Sequence, residues 1–174
     1  MPPMPDRYFQ DTIALVYDFD GTLSPQAMQE YTVLPKIGVE PARFWARVNE
    51  EARRTESDQM LVYLRRILEE LEEKRVDVKR EDFARMAARI KYFPGVLTWF
   101  GRMNGYVARR SKRRVKVRHY LISAGQKEIL EGVSIRKHFR RIYASEYHFN
   151  HHGVATFPKF LVTDTLKTQF LFRI

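Results

Sequence analysis

One long stretch of helical period interrupts an alternation of strands and helices, and it constrains the fold more than any other feature of the chain. Thr12–Tyr17 (TIALVY) is a short apolar run rich in β-formers, closed by Asp18 and then Gly21. It predicts a buried strand ending at a turn. From Ser24 the period changes. Ser24-Pro25 predicts a helix start, with Ser as N-cap and Pro in the first position. Pro41 opens a second helix, with Phe44, Trp45 and Val48 on one face. Ser57-Asp58 caps a third, whose stripe is Leu61, Leu64, Ile67, Leu68 and Leu71. Glu81-Asp82 opens a fourth, with Phe83, Met86, Ala87 and Ile90 inward. Pro94-Gly95 ends the pattern. Residues 24–93 therefore read as a small helical module inserted directly after the first strand.

Beyond it the alternation resumes. Residues 96–103 predict a helix, 118–122 (RHYLI) a strand ending at Ser123-Ala124-Gly125, 126–130 a helix, and 141–144 a third short strand. Asn150-His151-His152-Gly153 is a turn between two extended pieces, hence a hairpin over 147–162. His148, His151 and His152 read as turn or exposed strand rather than metal ligands, because adjacent residues of a strand face opposite ways. Thr163-Asp164 predicts the cap of a last helix that carries Lys167. This pattern argues an α/β fold on a parallel sheet. Such sheets bind ligands beyond the carboxyl ends of their strands. Asp18 and Ser123 both fall at such ends.

A chain of 174 residues that is 44% hydrophobic can build a packed core. It has no cysteine, which excludes disulfides, thiolate nucleophiles and cysteine metal sites and fits a reducing compartment. Residues 1–11 lack a basic run followed by an apolar stretch, so no secretory signal is expected. No apolar run is long enough to span a bilayer, and a soluble cytoplasmic protein with no membrane partner is the expectation. The formal charge is +10, much of it in Arg109, Arg110, Lys112, Arg113, Arg114, Lys116 and Arg118. Charge of this size attracts polyanions, but such a run reads first as solvated loop.

The chemistry concentrates in Asp18-Phe19-Asp20-Gly21-Thr22-Leu23. Two carboxylates at spacing two leave a strand end on the same side, and Gly21 lets the backbone turn sharply. Close carboxylates suit a hard cation such as magnesium. A carboxylate beside that ion can attack a phosphoryl group. Its neighbour can hold a proton, because like charge nearby raises a pKa.

This segment resembles the first motif of the haloacid-dehalogenase-like (HAD) hydrolases. The resemblance implies a Rossmann-like core over 1–23 and 94–174, with residues 24–93 as a helical cap that closes over the site. It implies Asp18 as nucleophile and Asp20 as general acid and base. The Asp18 carboxylate and the Asp20 backbone carbonyl would bind Mg2+, and Thr22 would support the phosphate site. His119-Tyr120-Leu121-Ile122-Ser123-Ala124-Gly125 resembles the second motif, in which the Ser123 hydroxyl and the Ala124 amide hold a phosphoryl oxygen. Lys167, preferred over Lys159, resembles the lysine that offsets charge on phosphate and nucleophile; a cation there stabilises a transferring phosphoryl group. The family's fourth motif, a strand followed by Gly-Asp and further acids, is not found. The last acidic residue is Asp164 and the last residue Ile174, so we read the core as incomplete at the carboxyl terminus.

The function expected is thus Mg2+-dependent hydrolysis of a small phosphorylated metabolite through an aspartyl phosphate. Asp20 favours this over dehalogenation, which uses the nucleophile without that second carboxylate. Two alternatives stand beside it. One is a non-catalytic HAD-fold binding or regulatory domain, or an inactive fragment. The other is a basic nucleic-acid-binding module built on the 109–118 run, disfavoured because aromatic side chains occur only at its edges, as Tyr106 and Tyr120. Met28, Tyr31, Arg43 and Trp45 are the cap residues expected to face a substrate.

Overall fold

The computed structural model describes residues 10–174; the amino-terminal part of the signal reading lies outside them. Four strands form one sheet in the order β1 (Thr12–Tyr17), β2 (Lys116–Gln126), β3 (Phe139–Phe149) and β4 (Ala155–Phe160). The pairs β1–β2 and β2–β3 are parallel, and β3–β4 is the antiparallel hairpin. The Asn150 side chain closes that hairpin by accepting the His152 and Val154 amides. This is the α/β fold that the alternation implied.

Burial departs from expectation at β1. It is an edge strand, with Ile13 43% and Val16 37% exposed. An apolar run alone does not reveal strand order, and only β2 pairs with β1 among the described residues. What anchors β1 lies beneath it. The helix α6 (Val96–Arg110) packs on β2 and sends Trp99 Nε1 to the Tyr17 hydroxyl, 2.9 Å away. Tyr17 in turn meets His119 Nδ1 at 2.8 Å, and His119 Nε2 meets Asn104 at 2.9 Å.

Residues 24–93 hold α1 (Met28–Tyr31), α2 (Val33–Ile37), α3 (Pro41–Thr55), α4 (Gln59–Glu73) and α5 (Arg80–Met86), with no strand. Glu40 caps α3 by accepting the Ala42 and Arg43 amides. Asp58 caps α4 by accepting those of Met60 and Leu61. In α4 the buried face is Val62, Tyr63, Leu64, Ile67 and Leu71, whereas Leu61 is 41% exposed. The first helix starts at Met28, not at Ser24-Pro25. There the chain winds around the Phe19 carbonyl, which accepts the amides of Thr22, Leu23 and Ser24. The two ends of the segment meet, because the Phe93 amide donates to the Leu23 carbonyl at 3.0 Å. One continuous hydrophobic cluster runs from Phe44, Leu64 and Phe83 through to Leu121, Ile142 and Tyr147 of the sheet.

The remaining differences are of extent. α6 runs to Arg110, so the basic run is not a loop throughout. Arg109 and Arg110 close the helix, Lys112 and Arg113 form a turn at φ 50° and 63°, and Lys116 opens β2. β2 continues through Ser123 to Gln126, and β3 is far longer than 141–144. α7 (Lys127–Leu130) follows β2. Thr163-Asp164 does not cap the last helix. α8 (Lys167–Leu171) has Leu166 at its N-cap and no side-chain cap, since Asp164 turns to Lys167 instead.

Candidate active site

The sequence folds Asp18 and Asp20 into one cleft from opposite constraints. Phe19 between them is fully buried, which anchors the turn and leaves both carboxylates free to face away from the core. Gly21 takes φ 73°, a left-handed turn where a side chain would be strained. Asp18 Oδ1 accepts the Phe19 amide at 2.8 Å, and Asp18 Oδ2 accepts from Lys167 Nζ at 2.8 Å. Asp20 Oδ1 accepts the Met28 amide at 2.9 Å, at the start of α1.

The two carboxylates titrate differently. Loss of water around Asp20 pushes its pKa from the ordinary 3.8 up to about 7. The Met28 amide acts against that rise and the nearby Asp18 charge adds to it. Burial opposes charge on Lys167, but its hydrogen bonds to Asp164 and Asp18 outweigh this and hold its pKa above the usual lysine value. The site thus sets an ion-paired carboxylate beside one that keeps a proton near neutral pH.

A cleft of about 210 Å³ brings together Asp18, Asp20, Ser123, Ala124 and Lys167. Ser123 is fully buried, and its Oγ accepts the Gly125 amide at 3.0 Å. Thr22 is not among the lining residues. Its side chain is exposed, and its amide is spent on the Phe19 carbonyl. Lys159 pairs with Glu146 at 3.0 Å, away from the cleft. Of the four cap residues expected to face a substrate, Trp45 alone lines the cleft. Met28 is buried in the core and Arg43 points to solvent.

Several lining residues were not singled out in the sequence. Asp164 holds Lys167 from the other side at 2.8 Å. Gln29, Met60 and Tyr63 close the far wall. Tyr63 is buried on α4, and burial raises its pKa well above the ordinary value. Its hydroxyl donates to the Ala124 carbonyl at 2.9 Å. A buried tyrosine needs such an acceptor, but which carbonyl supplies it depends on tertiary placement.

For a divalent cation the chain offers oxygen donors of the right kind: the Asp18 carboxylate and the Asp20 backbone carbonyl. Among the described residues no group of three or more His, Cys, Asp or Glu side chains could hold a metal alone. Magnesium is commonly held by one or two carboxylates plus waters and substrate phosphate, so this donor set fits that ion. The basic run begins β2 while the cleft lies at the other end of the same parallel strands, so it does not serve the cleft. His148 stacks on Phe157, and His151 meets His152 at a tilt, at the hairpin. No helix among the described residues is long and apolar enough to cross a membrane.

The fold is shared with known structures. A HAD family hydrolase from Salmonella enterica serovar Typhi superposes with a TM-score of 0.66 at 14% identity, covering 94% of this chain and 50% of that one. A probable phosphoserine phosphatase from Vibrio cholerae gives 0.59 at 12% identity, covering 92% and 45%. The phosphoserine phosphatase of T. onnurineus gives 0.53 at 19%, covering 97% and 73%. The fold is HAD-like. In sequence, an uncharacterized protein of Borreliella burgdorferi is 21% identical over 187 residues, spanning 95% of this chain and 65% of its own length. No family model matches. The chain therefore spans half to about two thirds of the first proteins it resembles.

Proposed function

We propose that the cleft carries a magnesium-dependent phosphomonoester hydrolase in which Asp18 is the nucleophile. The observation that supports it most is the convergence on one cleft of the ion-paired Asp18, the proton-holding Asp20, Ser123 and Lys167. The HAD-like fold it shares with phosphoserine phosphatases agrees with this reading.

In the first step an Asp18 carboxylate oxygen forms a bond to phosphorus while the ester P–O bond breaks. The leaving alkoxide takes the proton held by Asp20, whose pKa of about 7 suits a general acid at neutral pH. In the second step water attacks the phosphorus of the aspartyl phosphate, losing a proton to the Asp20 carboxylate, and inorganic phosphate leaves. Lys167 offsets negative charge on the phosphoryl oxygens, and the Ser123 hydroxyl and Ala124 amide bind one of them. Magnesium, held by the Asp18 carboxylate and the Asp20 carbonyl, would supply further charge neutralisation. Residues 24–93 act as the cap: α1, α3 and α4 supply Gln29, Trp45, Met60 and Tyr63 to the far wall. Such a lid excludes water from the reaction.

The test is hydrolysis of a panel of phosphate monoesters by this chain. Asp18→Asn is expected to abolish turnover, since an amide does not attack phosphorus as a carboxylate does. Asp20→Asn is expected to slow it by about 10²–10⁴-fold. EDTA should stop the reaction and magnesium restore it. Near-parental turnover by Asp18→Asn would overturn the assignment.

A further inference from the structure

The far wall of the cleft holds a polar group that the hydrolytic steps do not use. Gln29, the second residue of α1, lines the cleft, is only 2% exposed, and its Oε1 meets no hydrogen-bond partner. Chemistry settles which end of this amide is unpaired. The Tyr63 hydroxyl has one proton, and it goes to the Ala124 carbonyl. Burial raises the Tyr63 pKa, so that proton stays in place. Toward Gln29 the Tyr63 oxygen can therefore only accept. The Gln29 amide can therefore meet Tyr63 only through its nitrogen, which leaves the oxygen as the end without a partner. A buried acceptor without a donor keeps its full desolvation cost until a donor reaches it.

The wall around this acceptor is neutral. Trp45 lines the same cleft with its ring fixed: Nε1 donates to Glu30 at 2.9 Å, and the ring packs against Tyr63 at 5.7 Å between centroids. Met60 and Ala27 add apolar surface. Among the described residues that line the cleft, Lys167 is the one cation, and it is already held between Asp18 and Asp164. A substrate carboxylate would enter beside Asp18 and Asp20 with no cation left to meet it. Burying a charge without a partner is strongly disfavoured.

Building on the hydrolase reading, we propose that the substrate is a small phosphate monoester of an uncharged, hydroxylated alcohol, of the sugar or polyol type. One hydroxyl donates to Gln29 Oε1 while a carbon face of the alcohol packs on Trp45. An amino-acid phosphate does not suit this wall, although the fold is shared with phosphoserine phosphatases.

Two measurements test this, one of which does not need turnover. The first compares kcat/KM for glycerol and hexose phosphates, for deoxy alkyl phosphates of matched size, for phosphoserine and for phosphoethanolamine. The native chain is expected to prefer the hydroxylated esters over their deoxy partners by about tenfold or more, and Gln29→Leu to erase that ratio. The second measures binding of the corresponding inert phosphonates by calorimetry, with inorganic phosphate as reference. Selectivity for the hydroxylated phosphonate, erased in Gln29→Leu, with no ester hydrolysed, would leave this pocket assignment standing and remove the hydrolase reading. Equal kcat/KM for hydroxylated and deoxy esters in the native chain would overturn the proposal whether or not the variant folds. So would preference for phosphoserine or phosphoethanolamine, or a ratio unchanged by Gln29→Leu.

Discussion

The two walls of the cleft are built differently. On one side the helical segment is locked onto the sheet. A Cβ placed on Gly125 would come within 2.1 Å of the Met28 terminal methyl, and one placed on Gly132 within 2.1 Å of the Ala84 carbonyl oxygen. Tyr63 donates to Ala124, and Tyr147, buried on β3, donates to the Leu64 carbonyl at 2.9 Å. On the other side β1 is an exposed edge and α8 is a short helix. Phe170 is the buried residue of α8, while Leu166, Leu171 and Phe172 are exposed. Asp18 and Asp20 lie two residues apart, yet each belongs to a different wall. Asp20 is tied to α1 in the locked seam, and Asp18 to Lys167 on the thin side. Adjacent positions in a motif can therefore draw opposite electrostatics from the elements behind them.

The largest effect expected from this contrast is a pH dependence of stability owed to Asp20. Its folded pKa is raised above the unfolded value. Between about pH 4 and pH 7 the folded chain thus binds a proton that the unfolded chain has released. The resulting stability is fully present below pH 4 and is lost as pH rises through 7. The rise from 3.8 to about 7 corresponds to about 4 kcal/mol. Asp20→Asn keeps an oxygen for the Met28 amide and removes the charge. In EDTA it should unfold at higher denaturant than the native chain at pH 9, with the gap closing as pH falls to 4. A gap independent of pH would show that water reaches Asp20 freely.

The seam itself can be broken by a methyl group. Gly132→Ala meets backbone of α5 that has nowhere to move, and about 3 kcal/mol of stability should be lost on urea unfolding. Gly125→Ala meets the flexible end of Met28, so the loss should be smaller, about 1–2 kcal/mol. Equal losses would mean that the two contacts are equally rigid.

What could be read from the sequence follows the range of the interactions. The extent of β1 and the starts of α3 and α4 were legible because strand period, helix-start residues and helical stripes are local signals, and Asp58 does cap α4. The exposure of β1 was not legible, since TIALVY has the same pattern at an edge or in a centre. Asp18 and Asp20 stood out because a turn needs Gly21 beside them. Gln29 carries no local mark and is defined by Tyr63 on another helix; Asp164 was marked only as a helix cap, and it pairs instead with the lysine three residues on, which the fold brings to Asp18. Lys167 was read as lying just inside a capped helix; the helix is there but its side-chain cap is not, and the lysine is held instead by two carboxylates. Trp45 and Arg43 were indistinguishable as candidates, because α3 turns one to the cleft and the other to solvent.

The smallest expected effect tests the thin wall directly. Ile13 sits on β1 and is 43% exposed. Thr12–Tyr17 carries no charged residue, and uncharged apolar edges invite pairing with other chains. Ile13→Lys adds a charge there while its methylenes still cover part of the surface. Surface substitutions of this kind usually change stability within about 0.5 kcal/mol. The urea midpoint should therefore stay in place. Sedimentation velocity across a concentration series should show less self-association than in the native chain. A stability loss above about 1 kcal/mol would mean that Ile13 is enclosed in the folded protein in solution. β1 would then not be an open edge, and the contrast between the two walls would fail on the side where it rests on exposure alone.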